Sequence, residues 1–315
     1  MTTELKPQVA PAAAVKAEPV ALSRGVSVED GFRLIVGNCL KQVQDNQRGV
    51  AQGADPECIH QMRVGTRRLR SALRLFERWI PFPPALQEEL TWLGEQLGAA
   101  RDADVLADTT LPMLIEGCPQ EPDLVPLRQV ALSMAGEKRQ QAAEAVTSVR
   151  YSRLMLALDS WLQGSRFCES LDETARAALQ KPLEKRARKT LRRRHEKLLE
   201  RGKRLARGTP EERHRVRIAA KNTRYAAEFF LPLQPSEQME RYIECLEALQ
   251  DVLGGMNDAA VADRLLHDIE VSHPELASSA SFAREHLRAA TKQDLEGVGA
   301  LWKRFKSMEL GRTSR

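Results

Sequence analysis

Residues 60–78 read HQMRVGTRRLRSALRLFER. Wound as a helix at about 100° per residue, the stretch places His60, Arg63, Arg67, Arg70, Arg74 and Arg78 within roughly 80° of one another. Met62, Leu69, Leu73 and Phe76 gather on the opposite side. One face is a row of guanidinium groups and the other is a core face. Glu77 is the one acid in the stretch, so most of these arginines lack a local partner. Residues 214–230, HRVRIAAKNTRYAAEFF, repeat the design. His214, Arg217, Lys221 and Arg224 stand where His60, Arg63, Arg67 and Arg70 stand. Val216, Ile218 and Phe230 match Met62, Val64 and Phe76.

The repeat extends beyond one helix. LGAARDADV (97–105) aligns with LGGMNDAAV (253–261), and His60 precedes Asp102 by 42 positions where His214 precedes Asp258 by 44. Matching features in the same order imply an internal duplication with a period of about 155 residues. Each half holds enough helices for a bundle.

Composition sets the class. The chain has 315 residues, 42% hydrophobic, 29% charged and 5% aromatic. Ala, Leu, Arg, Glu and Gln favour helix, and β-branched runs are scarce, so the expected fold is all-α with almost no strand. The net charge of +5 hides an asymmetry. Residues 60–80 carry net +5 and residues 181–224 net +13, which leaves the remainder at −13. A split of this size marks a localised polyanion site. The plain alternative is a pair of solvated Arg-rich faces, but these lack the interleaved acids that i,i+4 pairing needs. Five scattered cysteines (Cys39, Cys58, Cys118, Cys168 and Cys245) form no C-x-x-C pair, which argues against a zinc site or disulfide framework and for a reducing compartment. No apolar run reaches membrane-spanning length, and VAPAAAV near the start is too short for a signal peptide. A cytoplasmic protein with no membrane partner is expected.

Along the chain, residues 1–25 form an Ala/Pro-rich tail broken by Pro7, Pro11 and Pro19, and we expect it to be disordered. Ser27 is a good N-cap for a helix to about Arg48. Asp55-Pro56 opens the basic helix, and PFPP closes it. Leu86, Leu90, Leu93 and Leu97 mark the next helix, and a longer helical region is expected over 123–164. In the second half, Leu183, Ala187, Leu191 and Leu198 form one face of a long helix reaching about 207, with Arg186, Lys189, Arg193 and Lys197 on another face. Gly297 and Gly299 are expected to interrupt the last helix. The predicted organisation is a tail (1–25), a first bundle (26–168) and a second bundle (169–310) of one domain.

HQMRVGTRRLRSALRLF with LGAARDADV, and HRVRIAAKNTRYAAEFF with LGGMND, resemble the CHAD family, the conserved-histidine α-helical domain. The resemblance covers about residues 27–310, everything except the tail. It implies two pseudo-symmetric helical bundles with a basic cavity or pore between them. It also implies binding of inorganic polyphosphate and association with polyphosphate granules and their proteins. Some members carry an extra triphosphate-processing domain, and none is expected in a 25-residue tail. This chain departs from strict symmetry: Glu228 stands where Arg74 stands, and Asn222 where Arg68 stands. The 183–207 helix is expected to restore that charge as a third wall.

The chemistry fits a chain of phosphates. Guanidinium keeps its charge and forks onto phosphate oxygens. Arg63, Arg67, Arg70 and Arg74 span about 16 Å along a helix. The expected ligand contacts are His60, Arg63, Arg67, Arg70, Arg74, Arg186, Lys189, Arg193, Lys197, His214, Arg217, Lys221 and Arg224. His60 and His214 read as phosphate contacts, as helix-start packing, as phospho-acceptors or as metal ligands. The last two lack companions, since there is no P-loop, no Mg²⁺ carboxylate set and no His or Cys at i+3 or i+4. Asp102 and Asp258 are expected to orient arginines, with a plain surface or capping role as the alternative. No cofactor, metal or catalytic residue is expected. Binding of nucleic acid is a rival, weakened by the low aromatic content and the lack of a recognition motif. A polyphosphate-processing enzyme using His60 or His214 is a second rival.

Overall fold

The structure is a computed structural model. It describes residues 12–53, 55–118, 122–164, 167, 171–205 and 207–308, apart from the side chains of residues 293, 294 and 296. Cys168 and residues 1–11 lie outside these. Among the described residues there is no strand, and one isolated bridge joins Ser27 to Pro182.

Among the described residues, twelve α-helices follow in order. They are α1 (Val28–Asp45), α2 (Gln47–Gln52), α3 (Pro56–Phe76), α4 (Pro84–Val105), α5 (Leu111–Gly117) and α6 (Val125–Thr147). Then come α7 (Val149–Gln163), α8 (Glu173–Leu179), α9 (Glu184–Arg201), α10 (Pro210–Phe230), α11 (Glu237–Ser272) and α12 (Ala277–Lys306). Both basic helices start from caps written in the sequence. Asp55 accepts from the Glu57 amide at 2.8 Å with Pro56 beginning α3. Thr209 and Glu212 close a capping box ahead of α10, again with Pro at its start. Gly53, at φ 64°, ends α2 in the left-handed region and frees the chain to turn into α3.

Three expectations change. The 123–164 region is two helices, because Ser148 turns extended and accepts from the Tyr151 amide, restarting the chain as α7. The last helix runs through Gly297 and Gly299, since buried Val298, Trp302 and Phe305 hold it in place. Gly costs only about 1 kcal/mol in a helix, which packing overrides. The disordered tail is corrected for residues 12–25. Val20 and Leu22 are buried, Val15 and Asn46 exchange two hydrogen bonds, and Asn38 donates to the Glu18 carbonyl at 2.9 Å. Side-chain amides on α1 satisfy a backbone that has no helix of its own.

The core does not divide at residues 168–169. One buried cluster draws on α1, α3, α4, α7, α9 and α10 together, with Phe76 of α3 edge-on to Phe230 of α10 at 6.4 Å. A second joins the far ends of α4 and α6 to those of α11 and α12 through Leu106, Leu127, Leu266 and Ala283. Val28 donates to the Lys181 carbonyl and Leu183 to that of Val26, so the start of α1 is stitched to the segment just before α9. Burial of both apolar faces against each other fixes which way the two basic faces turn.

Candidate functional site

The basic faces of α3 and α10 meet. Ser71 on α3 donates to the Asn222 side-chain oxygen on α10 at 3.3 Å, and Arg194 from α9 donates to the Asn222 carbonyl at 3.3 Å. This three-helix junction sets the register. Lys221, the neighbour of Asn222, then lies among Arg67, Arg217, Arg63 and Arg70. Burial, followed by these four guanidiniums, pushes its amine from 10.5 down to about 7. Burial likewise lowers Arg63, Arg70 and Arg217, with like charges adding to the shift at each. The Nε atoms of Arg67 and Arg217 are buried and make no hydrogen bond. Buried donors without partners are rare, and here they flank a cluster of cations.

The helix beneath is shaped for this. A Cβ on Gly98 of α4 would sit 2.8 Å from an Nη of Arg63, and one on Gly94 would sit 3.4 Å from an Nη of Arg70. The missing side chains let guanidiniums lie flat against α4. Asp102, one turn on, pairs with Arg63 at 3.4 Å. Burial raises the Asp102 carboxyl, offset by Arg63, while Asp258 raises it further. Asp104, on the same turn, is buried and pairs with Arg139 at 3.2 Å, which fixes α4 to α6. Asp258 is exposed and makes its hydrogen bond with its neighbour Asn257, and its charge acts on Arg63 and Arg217. Two carboxylates thus face a larger set of cations, and the site keeps an excess of positive charge.

The two histidines are not equivalent. His60 is half-buried. Burial, then Arg101, push its imidazole below the usual value, with Glu57 opposing and Arg67 and Arg63 adding, so the ring is neutral near pH 7. His214 is exposed and lies at a cavity of about 820 Å³, lined also by Arg217, Leu253, Met256, Arg264 and Arg288. That cavity lies between α10, α11 and α12. The two matching sequence stretches differ in structure here. The chain after LGAARDADV enters a π-helical turn over 106–110, whereas LGGMNDAAV lies inside the unbroken 36-residue α11. A Cβ on Gly254 or Gly255 would meet nothing within 4 Å, unlike its counterpart Gly98.

Other expected residues go elsewhere. Arg224 is bound through one Nη to Glu228 at 3.0 Å and Glu247 at 3.1 Å and lies over the Tyr225 ring, so acids already neutralise its charge, although its Nε is also buried without a partner. Arg186 donates to the Ala178 carbonyl at 2.7 Å and stacks over Trp79. Lys189, Arg193 and Lys197 are exposed on α9, and Arg74 is exposed at the end of the α3 row. The α9 residue that turns inward is Arg194, pushed down to about 10 by burial and then by Arg74. Its signal was present in the sequence. Ala187, Leu191, Arg194 and Leu198 recur at spacings of four, three and four, so Arg194 belongs to the buried stripe itself. Arg68 faces the other way. It is buried, donates to Gln42 at 3.0 Å and Asn38 at 3.3 Å, and lies over Phe229. Sequence reasoning also left out Arg101 and Arg264, whose charges reach His60 and Asp102.

No group of three or more potential metal ligands occurs among the described residues. Among the described residues, no helix is long and apolar enough to cross a membrane. What the arrangement can do is hold an extended or multivalent anion against three helices.

Comparison with known proteins agrees with this architecture. The crystal structure of the CHAD domain from the plant Ricinus communis is 39% identical and superposes with a TM-score of 0.81, covering 92% of this chain and 96% of that one. PptA from Streptomyces chartreusis shares the fold at 14% identity and a TM-score of 0.65, covering 90% of this chain and 99% of that one. No curated protein matches. The family model described as CHAD domain matches residues 34–267, and the chain belongs to the CHAD domain family.

Proposed function

We propose that this protein binds inorganic polyphosphate without chemically altering it, in a basic cavity between two pseudo-symmetric halves, and that it works in the cytoplasm at polyphosphate granules. The observation that carries the reading is the ring of Arg63, Arg67, Arg70 and Arg217 around Lys221, with two buried guanidinium Nε atoms lacking partners. Membership of the CHAD family supports it. A phosphate chain offers about one charge per residue and no base to read, so it needs a line of fork-shaped donors rather than a specificity pocket. The ligand path runs along Arg63, Arg67, Arg70 and Arg74, crosses to Lys221 and Arg217, and approaches the neutral His60, which donates from a ring N–H. Asp102 orients Arg63 and keeps it extended over Gly98. Arg194 takes the place assigned to the outer face of α9. Lys189, Arg193 and Lys197 contribute long-range attraction from solvent.

The test is a binding isotherm for long-chain polyphosphate across a salt series, with DNA and RNA as competitors at equal phosphate concentration. Affinity should fall steeply with salt through counterion release. Displacement of polyphosphate by DNA or RNA would replace this reading with general polyanion binding. Shortening of the chain in the presence of divalent metal, abolished in His60→Ala, would replace it with catalysis.

A further inference from the structure

The basic row of α10 begins at a cavity that an inorganic phosphate chain does not need. The cavity, about 820 Å³, is bounded by α10, α11 and α12. That volume falls in the range of sites for whole organic molecules, and a bare phosphate chain has no apolar surface to bury there. The floor is apolar, formed by the buried side chains of Leu253 and Met256 on α11 and Leu287 on α12. The rim is cationic, with five arginines and His214 against two acids, Glu211 and Asp263. Asp263 is already bound by Arg284 at 3.2 Å and Arg288 at 3.0 Å. Arg217 lines the cavity and keeps a buried Nε without a partner. Along α10, His214, Arg217 and Lys221 follow at spacings of three and four residues. These are steps of about 4.5 and 6 Å along the axis, so the cavity and the phosphate path join at Arg217. At Gly98, in the matching stretch of the first half, Arg63 lies over the helix instead, 2.8 Å from where a Cβ would sit.

We infer that this cavity is a nucleotide site, which takes a nucleoside triphosphate with its base and ribose on the floor of Leu253, Met256 and Leu287 and its phosphates on His214, Arg217 and Arg264. The inference rests on the reading of the adjoining surface as a phosphate site. Each part of the ligand meets the chemistry it needs. A flat ring gains from burial on an apolar floor, and the Met256 thioether packs well against aromatic rings. Asn257, on the rim, makes its hydrogen bond with its neighbour Asp258 at 3.4 Å, beyond the usual range, which leaves its amide able to turn to the edge of a base. The guanidiniums fork onto phosphate oxygens. Three floor side chains and one amide match a single base, whereas a long alkyl chain needs a longer apolar slot. Because Arg217 serves both ligands, a nucleotide and a polyphosphate chain exclude each other, and polyphosphate binding becomes sensitive to nucleotide concentration.

The full-length chain is titrated by calorimetry with ATP and with inorganic tripolyphosphate, at fixed pH and ionic strength and without divalent metal. Tripolyphosphate carries the same row of phosphates and no base. ATP should bind at least about tenfold more tightly, the gain from burying one ring on an apolar floor. The double variant Ala260→Leu/Thr291→Leu narrows the cavity from its α11 and α12 walls without touching a cation. It should bring ATP down to the tripolyphosphate affinity and leave tripolyphosphate binding unchanged, with circular dichroism unaltered. ATP should also displace long-chain polyphosphate from the wild-type chain. ATP that binds the wild-type chain no more tightly than tripolyphosphate overturns the proposal. So does an ATP advantage that survives in the folded double variant, since the base would then lie elsewhere. Long-chain polyphosphate binding is measured in parallel. Tight polyphosphate binding without an ATP advantage refutes the nucleotide site alone, while a cavity-dependent ATP advantage without polyphosphate binding refutes the polyphosphate reading alone.

Discussion

Lys221 should make polyphosphate binding pH-dependent in a range where few other groups titrate. In the free chain its amine sits at about 7, against 10.5 for an ordinary lysine. Burial is the larger cause of that lowering and the arginines the lesser, so a phosphate chain laid over Arg67 and Arg217 offsets the repulsion and moves the bound amine part of the way back toward its ordinary value. The bound state therefore holds more protons than the free state, and affinity falls as pH rises above about 7. At pH 7 about half of free Lys221 is charged and at pH 8.5 only about 3% is, so affinity should drop over this interval by up to about 16-fold, the value reached when the bound amine stays charged throughout. Long chains keep one charge per internal phosphate, so the ligand contributes little. The assay is isothermal titration at fixed ionic strength from pH 7 to 9, in two buffers of different ionisation enthalpy, to count the protons taken up. Lys221→Arg, which stays charged, should bind at pH 8.5 as it does at pH 7. A wild-type affinity that is flat across this range, or a slope that persists in Lys221→Arg, would refute the reasoning.

Further outcomes test the geometry. Arg63→Ala and Arg67→Ala should each weaken polyphosphate binding and lower the magnitude of the salt slope by about one, with unchanged circular dichroism; a folded double mutant of full affinity would remove α3 from the site. Gly98→Ala places a methyl 2.8 Å from the Arg63 guanidinium and should break its pairing with Asp102, reducing affinity several-fold while Tm barely moves. Arg68→Ala should do the reverse: it strips Gln42 and Asn38 of a buried donor and removes a charge acting on Glu228, costing roughly 2–4 kcal/mol in urea unfolding with polyphosphate affinity nearly intact. The ligand-free chain should gain stability as pH rises from about 7 toward 10.5 relative to Lys221→Met, because the unfolded lysine binds the proton that the folded one rejects.

Much of this was legible in the sequence. Helix starts at Ser27, Asp55-Pro56 and Thr209-Pro210 are local events, decided by one side chain reaching a backbone amide within three residues. The buried stripe of α3 follows from the 3.6-residue period, and with it the fact that Arg63, Arg67, Arg70 and Arg74 share a face. What periodicity could not give is the destination of each cation. Arg67 and Arg224 both belong to basic stripes and both keep a buried Nε without a partner, yet the Arg224 Nη is taken by Glu228 and Glu247 while Arg67 makes no ion pair among the described residues. The difference lies in which helix packs alongside, a long-range matter. His60 and His214 begin two similar stretches of sequence, but only His60 is half-buried beside Arg101. The basic face of α9 looked like a wall because charged residues were assumed to point inward together. Packing turned Arg194 in and left Arg193 in water. The sequence by itself determined the helices, their caps and the sign of the charge on each face, because those depend on neighbours within a turn. Only the tertiary structure decided which of those charges meet, since burying Phe76 against Phe230 and pinning Ser71 to Asn222 fixes the register that puts one lysine among four arginines.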